Sequence, residues 1–216
     1  MVKAAAAQEV VIKPPKFETV TFRIVGTAPY VQNKFSQKAR EAMHAKHVAG
    51  QAGRKGNKKE PRDFQANYEQ AMHKAPASAG GWCGVPAPAF RAAMVSACRL
   101  VGFKMTLAKL SFFIVADGYD ADDGTPLVKI AKGTPEYTEL AVRNESGVCD
   151  LRVRPMWREW EATVRVKFDA EMFSVQDIAN LLQRAGEQVG VGEGRPDSHN
   201  SCGMGWGTFT FKKEKE

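Results

Sequence analysis

Between Trp160 and Phe168 the chain sets Trp160, Ala162, Val164, Val166 and Phe168 at every second position, with Glu161, Thr163, Arg165 and Lys167 between them. Successive side chains of a strand point to opposite faces, so this pattern specifies a strand with one apolar and one polar side. A register slip of one residue would turn the whole apolar set into water, which fixes how the strand must pair. A sheet built on it therefore needs a covering layer on one face only. Val20, Phe22 and Ile24 repeat the alternation within Thr19 to Val25 and predict a second strand of the same kind.

The covering layer is legible as well. Phe90, Ala93, Met94, Ala97, Cys98 and Val101 recur at helical spacing and predict an amphipathic helix over Ala89 to Val101. Ser174 is placed to cap a helix from Val175 to Glu187, with Phe173 and Ile178 as a hydrophobic staple. Further strands are expected at Leu110 to Ala116, Leu127 to Ile130, Thr138 to Val142, Leu151 to Arg154 and Thr208 to Phe211. Polar helices are expected from Ser36 and over Asp63 to His73. The order strand, helices, strands, strand, helix, strand predicts an α+β fold: a modified ferredoxin-like (RRM-like) sheet with helices on one face, a long inserted basic loop and a C-terminal glycine-rich loop. The Ala-rich then Pro-rich residues 1 to 16 read as a flexible arm, 17 to 213 as one domain with a mobile basic insertion at about 50 to 62, and 214 to 216 as a charged tail.

A hydrophobic content of 44% suits a globular core, and no apolar run approaches the ~18 residues of a membrane span. The N-terminus has no secretory pattern, so a cytoplasmic protein with no membrane partner is expected. Cys83, Cys98, Cys149 and Cys202 form no C-x-x-C pair and read as reduced structural thiols. The net charge is +7. Nine basic residues against two acids fall between Lys34 and Arg62, so this segment alone carries the whole excess. Concentrated charge of this sign suits a polyanion.

Features with chemical potential are few. Gly190, Gly192, Gly194, Gly203, Gly205 and Gly207 follow a helix and precede a strand, the reverse of a dinucleotide fingerprint or P-loop, so no nucleotide cofactor is expected. Glycines there permit positive φ and close backbone approach. The acidic run Asp117, Asp120, Asp122, Asp123 lacks the calcium-loop spacing and reads as a solvated hairpin tip. His44 and His47 have no ligand partner at zinc spacing, and neither a G-x-S-x-G elbow nor a cysteine-centred signature is present. No metal or catalytic residue is assigned, and a non-enzymatic protein is expected. Tyr30, Trp82 and Trp206 stand in irregular or glycine-flanked settings suited to stacking on bases.

The helix, glycine-rich loop and final strand resemble the ending of the repeat-associated mysterious proteins, the RAMP superfamily that includes CRISPR backbone subunits. Val85-Pro86-Ala87-Pro88-Ala89-Phe90-Arg91-Ala92-Ala93-Met94 is similar to that family's apolar-Pro-Gly-Ser-Ser-Leu-Lys-Gly-Ala-Leu segment. Arg91 falls on the family's phosphate-approaching lysine, whereas Ala87, Pro88 and Ala89 depart from the glycine and serines, and Val95 stands where an arginine is usual. The ending is also similar to uncharacterised phage-encoded proteins. The resemblance implies a RAMP-like domain over 17 to 213 that holds single-stranded RNA or DNA with little sequence preference and self-associates head to tail along the strand. Residues expected at nucleic acid are Lys34, Lys38, Arg40, Arg54, Lys55, Lys58, Lys59, Arg91, Arg195 and Trp206. The alternatives are a metal-free RNA endonuclease of the same superfamily, for which His44, His47, His73 and His199 stay open, and a phage assembly or interaction protein.

Overall fold

A computed structural model of the protein describes residues 13–35, 37–49, 62–143, 149–198 and 203–213. The first strand, β1 (Phe17–Gly26), is followed by a two-residue β2 (Tyr30–Val31), α1 (Gln37–Ala49) and α2 (Phe64–Gln70), whose N-cap Asp63 accepts from the Ala66 N–H. β3 (Gly84–Pro86) runs directly into α3 (Ala87–Ala97), where Pro88 occupies the first turn and forfeits no intrahelical bond. α4 (Met105–Ser111), β4 (Phe112–Val115), β5 (Gly118–Tyr119) and β6 (Pro126–Lys132) follow. A hairpin of β7 (Glu136–Arg143) and β8 (Cys149–Trp157) leads to β9 (Glu161–Asp169), α5 (Val175–Arg184) and β10 (Phe209–Phe211).

The alternating strand is the hub of the larger sheet. β9 pairs with β1 from Phe17↔Asp169 to Val25↔Glu161, and β10 extends the sheet beyond β1. Its other edge is shared: β4 pairs with Phe168 to Arg165, and β6 with Ala162 and Glu161. β3 and β5 both pair with β6. A second sheet has the order β2-β8-β7, and every named pairing is antiparallel. The molecule is thus an α+β protein with antiparallel sheets.

Trp160, Ala162, Val164, Val166 and Phe168 are all buried, as the alternation requires, and α3 and α5 lie against them. α3 contributes Phe90, Ala93, Met94 and Ala97, and α5 contributes Ile178, Leu181 and Leu182. Phe90, Met94, Ile178, Leu181 and Leu182 each stabilise the fold by about 1.5–3 kcal/mol relative to exposure. Ser174 and Asp177 form a reciprocal capping box at the start of α5, which ends in a π-helical turn at Ala185–Val189. Tyr30 packs between Trp157 and Trp160, with ring centroids 5.5 Å from each. That packing leaves the Tyr30 ring only 1% exposed, which corrects the expectation of a free stacking surface.

One expected strand is half helix. Leu110 and Ser111 close α4, and only Phe112–Val115 is extended. The run Leu110 to Val115 is apolar apart from Ser111, and a short apolar run does not separate strand from helix by periodicity. Here Ala108 and Ser111 turn inward while Leu107 and Leu110 stay exposed, a spacing of three that only a helix provides. No helix among the described residues is long and apolar enough to cross a membrane.

Candidate functional site

The glycine-rich segment folds as a cradle pressed onto its neighbours. Val191 N–H donates to the Gly207 carbonyl, Gly207 N–H to that of Pro29, and Glu193 N–H to that of Val31. All six glycines have positive φ. At Gly207 a side chain would also run into the Val191 carbonyl oxygen, and at Gly192 into that of Val31, so only glycine lets these backbones meet. Asp197 clamps the segment to α3 by accepting from Ser96 and Arg99. The Ser96 hydroxyl and the Arg99 guanidinium hold its carboxyl below the ordinary carboxylate range.

Between this cradle, the start of α3 and the β7–β8 hairpin opens a cleft of about 840 Å3. Arg195 and Trp206 both line it, joined by Arg152 from β8 and by Asn33 and His73. Arg195 is steadied by donating to the Gly192 carbonyl, 3.1 Å away. The Trp206 ring lies against Gly194 and is half-buried, which leaves part of its surface on the cleft. Arg154 on β8 pairs with Glu193 of the loop and ties the hairpin to the cradle.

Lys34 is placed differently from the expectation. Its side chain is 3% exposed and its Nζ donates to Asp120 and Asp122, each at 2.6 Å. Asp120 also accepts from His73 Nδ1 at 2.7 Å and from the Asp122 backbone N–H at 2.9 Å. Burial opposes the charges of Lys34 and Asp120. The hydrogen bonds outweigh it, so the lysine pKa is raised and the aspartate pKa lowered. The acidic turn is therefore no solvated tip: it is folded around a lysine. His73, Asp120 and Asp123 bring possible ligand atoms within 4.8 Å of one another, and Asp120 already carries the Lys34 ammonium. Arg40 on α1 pairs with Asp123 of the same turn.

Arg91 also stands away from the cleft. Its guanidinium donates to the carbonyls of Phe112 and Lys109 and covers the Phe113 ring at 4.9 Å. It thus ties α3 to the α4–β4 junction, on another side of the helix from Ala89, which lines the cleft. Lys38 lies on α1, and Arg54, Lys55, Lys58 and Lys59 fall outside the described residues, as does His199. Trp82 packs against Gly84 and Gly118. Of the expected residues with described side chains, the fold brings Arg195 and Trp206 together and sends Lys34, Arg40 and Arg91 into structural contacts.

Sequence reasoning passed over Asn33 and Arg152. The alternation Arg152, Arg154 against Leu151, Val153 was the available signal: two arginines on one face of a strand. Nothing local in the sequence says that this face meets a loop forty residues on. No protein-family model matches the chain, and comparison with curated protein sequences finds no match.

Proposed function

We propose that the protein is a ferredoxin-like module of RAMP type that binds single-stranded RNA or DNA in the cleft between the glycine-rich cradle, α3 and the β7–β8 hairpin. The observation that carries the reading is the meeting of Arg195, Arg152 and the half-buried Trp206 ring in one cleft walled by backbone that only glycine permits. Arginine suits phosphate by its planar fork of donors, and an indole face stacks on any base, so the pair favours a strand of any sequence over a defined small ligand. The antiparallel order β10-β1-β9-β4, with α3 and α5 on one face, supports the ferredoxin-like assignment. Head-to-tail copies along one strand extend the same reading, because a single module covers few nucleotides.

The test is titration of labelled single strands of RNA and of DNA at several salt concentrations. The expected result is binding that weakens steeply with salt and loses about tenfold on Trp206→Ala. Binding insensitive both to salt and to Trp206→Ala would overturn the reading.

A second reading is favoured by one contact. His73 lines the cleft and gives Nδ1 to the buried Asp120, the way a carboxylate orients an imidazole for proton transfer. Metal-free cleavage of RNA at this histidine predicts products that persist in EDTA, vanish in His73→Ala and never form from DNA, which lacks the 2′-hydroxyl.

A further inference from the structure

The main cleft does not end at Arg152. A second cleft of about 280 Å3 begins at the same residues, since Asn33 and Arg152 line both. From there it passes to Phe35, Arg62 and Phe64 on the side of α2. Phe35, four residues beyond β2, is 51% exposed, and its ring borders the second cleft. The two clefts together are lined by four arginines, Arg62, Arg152, Arg154 and Arg195, against two carboxylates, Asp150 and Glu193. Lys34 adds little to this balance because Asp120 and Asp122 hold it. Arg62 is itself half-exposed and pairs with Asp150 at 2.6 Å, and Arg152 reaches the same carboxylate at 3.6 Å, so a phosphate entering here would share two arginines that already hold one anion at the solvent edge.

We infer that the two clefts form one continuous track for a single strand, in which Trp206 stacks a base at one end, Phe35 stacks a base at the other, and Asn33 and Arg152 guide the backbone across the junction. This rests on the function proposed above and adds a second stacking position and the path that joins the two. The chemistry that selects the occupant is the sequence of features along the path: ring, cation, amide, cation, ring. A folded partner presents no such alternation of flat apolar faces and anions, whereas a single strand does so at every nucleotide. Arg152 is central because it belongs to both clefts.

The path makes binding length-dependent in a way that one cleft does not. We would measure affinities for uridine and thymidine homopolymers from about 4 to about 16 nucleotides, the range over which small single-strand modules saturate. The wild type, Trp206→Ala, Phe35→Ala and Arg62→Ala would be compared, with far-ultraviolet circular dichroism verifying that each is folded. Trp206→Ala should weaken every length, whereas Phe35→Ala and Arg62→Ala should leave the shortest strand unchanged and weaken the longer ones, Phe35→Ala by about tenfold. Crosslinking of long strands carrying photoreactive bases should then label both Phe35 and Trp206, and the shortest strand should label Trp206 alone. Unchanged affinity of Phe35→Ala and Arg62→Ala at all lengths, with Trp206→Ala still impaired, would overturn the track and keep the main cleft. Equal loss at all lengths would overturn it too, since the second cleft would then not be reached last. Absence of any wild-type binding would remove the underlying function itself.

Discussion

Lys34 and Arg195 are both cations beside irregular chain, and the molecule uses them in opposite ways. Lys34 is 3% exposed and held by Asp120 and Asp122, which lie 86 and 88 residues further along the chain. Arg195 keeps a place on the cleft wall, where it donates to the Gly192 carbonyl and lies close enough to Asp197 to help lower that carboxyl's pKa. The charge of Lys34 is spent inside the fold, whereas that of Arg195 faces a space large enough for a ligand. Local charge density thus fails to report which cations are free, because the carboxylates that neutralise them arrive from distant sequence.

Breaking the Lys34 site should have the largest effect on stability. Asp120→Asn removes one of the two carboxylates on a buried ammonium, leaves Asp122 in place, and costs about 1–3 kcal/mol in denaturant unfolding. The same pairing sets the response to pH. The Asp120 pKa is lowered in the folded state, so its contribution is present above the ordinary aspartate value of about 3.9 and is lost as pH falls through the depressed folded value. The Lys34 pKa is raised, so its contribution is present below the ordinary lysine value of about 10.4 and is lost as pH rises through the raised folded value. Between these limits the pair should stabilise evenly. An Asp120→Asn protein as stable as the wild type would mean that the turn does not depend on its lysine, and the contrast with Arg195 would collapse.

How far the sequence carried the fold follows from the same contrast. The core face of β9 was legible because alternation is a local property and the sheet obeys it at all five positions from Trp160 to Phe168. The Ser174 cap was legible because its partner Asp177 is three residues away. The six glycines announced positive φ, since few other residues tolerate it, and all six adopt it. Tyr30 was misjudged, because its two tryptophan neighbours come from the β8 and β9 region, and the acidic turn was misjudged because its lysine comes from beyond β2. The cleft could not be assembled in advance: Arg152 joins Arg195 and Trp206 only through the pairing of β2 with β8 and the docking of the loop on Val31.

The contrast sharpens when the two kinds of cation are compared by salt. Each phosphate-neutralising residue contributes about one to the slope of log K against log salt, so Arg195→Ala should lower that slope by about one. Arg40→Ala, whose guanidinium is engaged by Asp123 of the acidic turn, should leave it unchanged. Equal losses in the two variants would show that the acidic turn opens when a strand binds and releases its cations.

Arg91 provides the smallest and most discriminating effect. Its guanidinium is shared between the Phe112 and Lys109 carbonyls and lies over Phe113, on a surface where the net value of such contacts is about 1 kcal/mol. Arg91→Ala should therefore lower the midpoint of thermal unfolding by a few degrees and leave affinity and salt slope as they were. Arg91→Lys keeps the charge but loses the planar fork that reaches two carbonyls at once, so it should be nearly as destabilised as the alanine variant. If lysine instead restores full stability, the cation over Phe113 matters more than the carbonyl bonds. A fall in affinity without loss of stability would return Arg91 to the nucleic-acid surface, which requires a strand to run along the α3–β4 side as well as through the cleft.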